Sequence, residues 1–349
     1  MTTPGETVPA TPADALREIA YHLDRTRADS RKAKAFRSSA RVLDDLPPDD
    51  VAARSAGGSW VQVPGIGPSS ATVITQTLAG RVPDYLAKVR RASARPLTAG
   101  GGQLRAAVRG DLHCHTEESD GSAPVEEMAA IAAMLGHDYL LVTDHSPRLT
   151  VAHGLTAERL ADQGKRIDRL NAGGAPLRIL KGIEVDILDG GALDQTPAAL
   201  AALDLVVASV HSKLSSDAET MTHRMVGAIA NPRTNVLGHC TGRLVEGERG
   251  LRGESRFDAE VVFEACRMFG VAVEINSRPE RRDPPTRLLE LARDIGCLFS
   301  IDTDSHAPGQ LDFLWYGCER AEAAGIPAAR IVNTWPVDEL LGWAAARAT

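Results

Sequence analysis

Residues 109–122 read Arg-Gly-Asp-Leu-His-Cys-His-Thr-Glu-Glu-Ser-Asp-Gly-Ser. At the centre, His113 and His115 stand two residues apart behind the apolar Leu112. On a β-strand, side chains at i and i+2 point to one face, so both imidazoles can meet one metal ion while Cys114 turns away. A pair like this recurs by chance in many proteins. Its weight comes from what surrounds it.

Downstream, apolar runs of strand length cover 110–113, 138–143, 177–184, 205–210, 235–238, 271–275 and 297–301. Between them, apolar residues recur at helical spacing over 125–135, 157–170, 218–229, 258–269 and 286–295. Seven β–α repeats predict an α/β fold, a parallel (β/α)7-type barrel with its helices outside and its chemistry where the strands end. The predicted strand ends carry His113-x-His115 with Asp120 in the loop beyond, then His145, Glu184, His211, His239, Asp304 and His306. Six of the ten histidines fall at these ends, which random placement would not produce; His22, His137, His153 and His223 fit core or surface positions. Nine candidate ligands exceed what one ion takes and imply two or three divalent metal ions.

Upstream, residues 92–108 are rich in Ala, Gly and Pro, show no apolar period, and read as a linker. Residues 13–91 predict a small all-α domain, and residues 1–12 a disordered tail. Leu16, Ile19, Ala20 and Leu23 have helical spacing behind Thr11 as N-cap, and a second helix is expected over 32–45, ending before Pro47-Pro48. In Val63-Pro64-Gly65-Ile66-Gly67, two glycines around one apolar residue make a tight turn. The helix expected from Ser69 to Leu78 offers its free amides there, a phosphate-binding device that reads no base.

Charge supports this division. The net charge is −7, yet residues 1–100 hold 14 Lys and Arg against 10 Asp and Glu, whereas residues 101–349 hold 25 against 36. Seven basic residues, among them Lys32, Lys34 and Arg37, lie between Arg25 and Arg41 with one acid, Asp29. From charge alone, that is the electrostatic footprint expected of a phosphate-backbone binder or a solvated helix face. A composition 43% hydrophobic and 24% charged is that of a globular chain. The start lacks a basic n-region and an apolar h-region, no stretch of about 18 apolar residues occurs, and the five scattered cysteines show no Cys-x-x-Cys spacing. These features predict a cytoplasmic protein without a membrane partner, a disulfide framework or a thiolate zinc site.

Two resemblances add to this reading. The turn around Gly65-Ile66-Gly67, with AFRSSARVLDDLP (35–47) and GRVPDYL (80–86), resembles the helix-hairpin-helix domain of family X DNA polymerases over residues 14–91. It implies DNA as a partner, gripped through Gly65, Ile66, Gly67 and Ser69 with Lys32, Lys34 and Arg37. Val73 stands where the lyase members carry a nucleophilic lysine, so lyase chemistry is not implied, and the linker leaves no room for a polymerase palm. From Arg109 onward, RGDLHCHTEESDG, VTDHS, GIEVDI, SVHSK, GHCTGR, VEINSRPERRDPP and SIDTDSHAP resemble the PHP family of metal-dependent phosphoesterases. That resemblance implies a distorted (β/α)7 barrel over 109–349. His113, His115, Glu184 and Asp304 would hold one ion, and Glu184 would bridge to a second held by His211 and His239. Asp120, His145 and His306 would hold a third. Zinc or manganese is expected, with iron as a further candidate, and Asp120 in place of histidine tilts the preference towards manganese.

Such ions lower the pKa of a bridging water so that hydroxide attacks a phosphate ester, with Glu184, His211 and Asp304 as the expected catalytic ligands. Lys213, Arg243 and Arg278 follow strand-end motifs and are candidate phosphate clamps. Asp144 and Asp302 are candidates to orient ligand histidines, as are Glu274 and Asn276. The expected substrate is a nucleic-acid phosphate, cleaved as a 3′→5′ exonuclease, in 3′-end trimming or at an abasic site. A small phosphate monoester and a non-catalytic DNA-binding scaffold are the alternatives. A metal amidohydrolase, which shares the first His-x-His, commonly bridges its ions with a carbamylated lysine where this chain has Glu184.

Overall fold

The computed structural model describes residues 7–57, 59–247 and 250–347. Residues 1–6, half of the expected tail, lie outside them. The chain divides into two compact units, residues 1–96 and 97–349. Among the described residues no helix is long and apolar enough to cross a membrane.

The first unit is helical: α1 Pro12–Arg25, α2 Ser30–Asp45, α3 Pro48–Gly57, α4 Pro68–Leu78 and α5 Asp84–Ser93. Helix α1 begins in a reciprocal cap, in which Thr11 Oγ1 accepts from Asp14 N and the Asp14 carboxylate accepts from Thr11 N, both at 3.1 Å. Its apolar stripe, Leu16, Ile19, Ala20 and Leu23, packs with Phe36, Ala40, Trp60, Ile74 and Leu86 in one core. The glycine turn precedes α4 as expected. Gly65 has φ +88°, and a Cβ there would lie 2.9 Å from Val42 Cγ2, so glycine is required on both counts.

Residues 92–108, expected as a linker, are largely built into the second unit. Helix α5 runs to Ser93, and Gly102–Ala107 form a helix, α6, whose Leu104 is buried in the second unit's core. Glu322 accepts from Gly101 N and Leu104 N at 2.8 Å, and Glu319 accepts from Ala99 N and Gly100 N at 3.0 Å. These two carboxylates anchor a segment with few side chains of its own to bury.

The second unit then alternates strands and helices: β1 Gly110–Cys114, α7 Val125–Met134, β2 Tyr139–Val142, α8 Ala157–Ala172, β3 Arg178–Lys181, β4 Glu184–Asp186, α9 Pro197–Ala201, β5 Val207–Ser209, α10 Ala218–Ile229, β6 Val236–Leu237, α11 Ala259–Phe269, β7 Ala272–Asn276, α12 Thr286–Ile295, β8 Leu298–Asp302, α13 Leu314–Ala323 and α14 Val337–Ala346. All strand pairs are parallel and follow chain order, in one sheet β1-β2-β3 and another β4-β5-β6-β7-β8. The run expected as a single strand over 177–184 is broken, which raises the strand count from seven to eight. At the break, a Cβ on Gly182 would lie 2.8 Å from Leu141 and 2.9 Å from the Val142 carbonyl, so only glycine fits where the chain passes β2. Single bridges join the sheets on both sides, Cys114 with Ser305 and His145 with Glu184.

Alternation along the strands separates two apolar layers. Val207, Val236 and Ala272 cluster with Leu112, Leu141 and, from α14, Leu340. The next residues, Ala208, Leu237 and Val273, cluster instead with Met221, Met225, Phe263 and Leu289 of the flanking helices. With both faces of the sheets apolar, polar side chains collect at the strand ends.

Candidate metal centre

Every candidate ligand but Glu184 lies at or beyond the C-terminal end of a strand. His113 lies in β1 and His115 just beyond it, Glu184 opens β4, and His211, His239 and Asp304 each come two residues after β5, β6 and β8. His145 and His306 follow β2 and β8, and Asp120 sits in the loop after β1. His113, His115, His145, Glu184, His239 and Asp304 are buried, His211 and His306 half-buried, and Asp120 exposed. The centre is therefore a deep cluster with an open rim.

Glu184 is its hub. Its Oε2 lies 2.8 Å from His145 Nδ1, 3.5 Å from His113 Nε2 and 3.7 Å from His115 Nε2. Its Oε1 lies 2.8 Å from His239 Nε2 and 3.1 Å from His211 Nε2. His115 Nε2 is also 3.5 Å from Asp304 Oδ1, and Asp120 Oδ1 is 3.5 Å from His145 Nε2 and 3.3 Å from His306 Nε2. Three groups with mutually close donor atoms result: His113, His115 and Asp304; His145, Glu184 and His211; and His115, Asp120, His145 and His306. His115 and His145 each belong to two groups, a sharing that the sets implied by resemblance do not contain.

The donor atoms fit cations and little else. Both Glu184 oxygens, His113 Nε2, His145 Nδ1 and both ring nitrogens of His115, His211 and His239 are buried without a hydrogen bond, despite these short approaches. Each unsatisfied buried group costs roughly 1–3 kcal/mol, so so many at one point require something to bind. Two donors about 2.1 Å from one ion in tetrahedral geometry lie about 3.4 Å apart, close to the 3.3–3.5 Å separations at Asp120, Asp304 and His113.

Electrostatics agree. Burial would favour a protonated Glu184, yet His211, His113 and His145 hold its pKa well below the usual carboxylate range. Burial would likewise keep His145 neutral, but Glu184 and Asp120 raise it to about 10. Burial, with His306 and His145 nearby, pushes His115 well down. The carboxylates thus remain ionised and draw in positive charge, while His115 stays neutral and keeps one ring nitrogen's lone pair free.

Surrounding residues fix the ligands, though not always the ones expected. Glu274 accepts from His113 Nδ1 (2.6 Å) and from His239 N, and Asn276 Nδ2 donates to Asp304 Oδ2 (3.2 Å). Asp144 and Asp302 touch no ligand histidine. Asp144 accepts from Thr116, Ser119 and Gln163, and Asp302 from Leu112 N and Asn333. Asp186, not anticipated, accepts from His211 N (3.0 Å) and lies 3.5 Å from His211 Nδ1. Its position two residues after Glu184 on a strand was an available signal.

Of the candidate phosphate clamps, Arg278 reaches the cluster, with Nη1 2.8 Å from His306 Nδ1 and 2.9 Å from the Asp304 carbonyl. Lys213 is exposed and pairs with Asp189, while Arg243 donates to the Arg281 and Arg282 carbonyls and pairs with Glu254. Arg281, missed in the sequence, donates from Nε to Asp304 Oδ2 at 2.9 Å and is buried. Four arginines fall within 278–287, and nothing in that run distinguishes the inward ones.

In the first unit, a pocket of about 300 Å³ is lined by Lys32, Gly65, Gly67 and Ser69 with Phe36 and Tyr85. Helix α4 starts behind Gly67 without a side-chain cap, so its first amides stay available. Lys34 is exposed, and Ile66 is buried in the core. Arg37 is a correction to the expected DNA contacts: it is 2% exposed and donates to the buried Asp24 carboxylate.

Comparison with known proteins places the cluster in context. Residues 111–278 match the family model of the PHP domain. The chain is 38% identical over 226 residues to the DNA polymerase/3′-5′ exonuclease PolX of Bacillus subtilis, covering 65% of this chain but only 39% of that protein. A probable phosphatase of Thermoanaerobacter sp. is 27% identical over 236 residues, covering 64% of this chain and 89% of the relative. The solved histidinol phosphate phosphatase of Lactococcus lactis, complexed with zinc, L-histidinol and phosphate, aligns with 62% of this chain and 92% of its own, at TM-score 0.44 and 17% identity.

Proposed function

We propose that this chain, with its PHP domain, is a metal-dependent phosphoesterase acting on nucleic-acid phosphates, as a 3′→5′ exonuclease, in 3′-end processing or at abasic sites. The observation that carries the hydrolase reading is the Glu184 hub, with five histidines around one buried carboxylate whose oxygens have no hydrogen-bond donor. His113, His115 and Asp304 would hold one divalent ion, His211 and His239 a second shared through Glu184, and Asp120, His145 and His306 a third. Bound there, the ions supply Lewis acidity and lower the pKa of water, which makes zinc, manganese or iron suitable.

The chain's own residues do the rest. Glu184 stays ionised and fixes the spacing between its histidines. Glu274 accepts a hydrogen bond from His113 Nδ1 and so turns Nε2 and its lone pair towards Glu184. At the rim, Arg278 is 11% exposed at its side chain and beside His306, where its guanidinium can receive a phosphate oxygen. We read the strand ends together as the mouth of a distorted barrel.

Nucleic acid as substrate is supported by the PolX relative and by the first unit, which we read as a helix-hairpin-helix domain binding DNA through Gly65, Gly67, Ser69, Lys32 and Lys34. A small phosphate monoester remains the second reading. It is favoured by the Thermoanaerobacter relative, 89% of whose length is covered by the aligned part of this chain. The deciding experiment offers the full chain, with Mn²⁺ or Zn²⁺, end-labelled DNA bearing a recessed 3′ end or an abasic site, beside a panel of phosphate monoesters. Metal-dependent shortening or nicking that His211→Ala lacks supports the nuclease. Phosphate release from monoesters alone selects the second reading.

A further inference from the structure

One ligand is held by an unusual clamp. Asp304 has φ +50°, a left-handed conformation uncommon outside glycine. Three residues of β7 and the loop after it secure it there. Arg278 Nη1 donates to its carbonyl (2.9 Å), Arg281 Nε donates to Oδ2 (2.9 Å), and Asn276 Nδ2 donates to the same Oδ2 (3.2 Å). The opposite oxygen, Oδ1, faces His115 Nε2 at 3.5 Å and His306 Nδ1 at 3.6 Å. Arg281 is itself 7% exposed, so its charge is committed to the interior.

We propose that Arg281 is a positioning residue of the metal centre, which pins Asp304 Oδ2 from behind so that Oδ1 alone is presented to a divalent ion between Asp304 and the first-strand histidines. The assignment rests on reading the cluster as a metal centre. A carboxylate free to rotate would offer either oxygen, or both. Arginine suits the task because the Nε–H lies within a rigid planar group; lysine brings equal charge but no donor at that point.

The test is a cycle of variants of the full chain, stripped of metal and titrated with Mn²⁺ by equilibrium dialysis. Arg281→Met should weaken one ion about 10–100-fold and leave the others unchanged, as expected for loss of a residue that orients a ligand. Asp304→Asn should weaken the same ion, and the double variant should match Asp304→Asn within about threefold, because Arg281 acts only through Asp304. Arg281→Lys should fall between wild type and Arg281→Met. It carries the same comparison if the methionine variant does not fold. Unchanged Mn²⁺ affinity in the folded Arg281 variant, or a double variant that loses the product of both effects, overturns the assignment. Wild-type protein that binds no divalent ion would overturn the metal-centre reading and this assignment with it.

Discussion

Arg37→Met should destabilise the first unit without touching its phosphate contacts. The Arg37 and Asp24 side chains are 3% and 6% exposed, so the pair is sealed in the core between α1 and α2. Removing the guanidinium takes a buried partner from the Asp24 carboxylate, and breaking such a pair from one side costs up to about 3–5 kcal/mol. At about 1.4 kcal/mol per decade, the unfolding constant of this unit should rise by up to roughly 10²- to 4 × 10³-fold. Hydrogen exchange measured by mass spectrometry on the full chain separates the units, because α1 and α2 amides report the first and β1 to β8 the second. Protection of α1 and α2 should fall by that factor while the strands stay as protected as before. Replacing both partners, Arg37→Met with Asp24→Leu, should recover most of the loss, because two apolar groups leave no buried charge. Unchanged α1 and α2 protection, with weaker DNA binding and a shallower salt dependence, would refute the reasoning and return Arg37 to the phosphate contacts.

Lys32→Ala and Lys34→Ala should each reduce the slope of log affinity against log salt for DNA by about one and leave hydrolysis of a small phosphate ester intact; fluorescence anisotropy at several salt concentrations measures it. Burial opposes ionisation of Glu18, but His22 and a bidentate contact from Arg90 lower its pKa from 4.5 to about 2. Its contribution is therefore complete above pH 4.5 and is lost as pH falls towards 2, so Glu18→Gln should flatten that limb of a stability-against-pH curve for the first unit. His137 is driven by burial, then by Arg105, from 6.5 to about 3. The native second unit thus binds fewer protons than the unfolded chain, and its stability should decline as pH drops from 6.5 towards 3, a decline that His137→Gln removes in acid titrations. Chelation should lower the melting temperature of the second unit only, by the equivalent of about 2.7 kcal/mol for each site held at a hundredfold excess over its dissociation constant; calorimetry with and without chelator checks it.

The candidate site was legible because chemistry and topology coincide: histidines and carboxylates fall where apolar runs stop, and parallel strands deliver those ends to one side. The capped first helix was legible for the same local reason, with Thr11 and Asp14 at cap spacing before an apolar stripe. Two misread features did carry a signal. Arg37 shares a helical face with Ala33, Phe36 and Ala40, all buried, so its spacing marked it as internal despite its basic neighbours. Leu104 and Val108 stand four apart in the supposed linker, and both are buried. The break at Gly182 had only the glycine itself, and the inward turn of Arg281 had none. Each depends on a contact with a residue far along the chain, Leu141 in one case and Asp304 in the other, and short-range periodicity does not record such contacts.

The most direct test of the central claim is the metal content of the purified full chain beside Glu184→Ala, measured by elemental mass spectrometry after dialysis against metal-free buffer. Glu184 touches five histidines, so its loss should dismantle the shared positions. Two to three divalent ions per wild-type chain, falling to one or none in the variant, is the predicted result. A wild-type chain that retains no ion after loading with Mn²⁺ or Zn²⁺, or a variant that retains as many as wild type, would contradict the account.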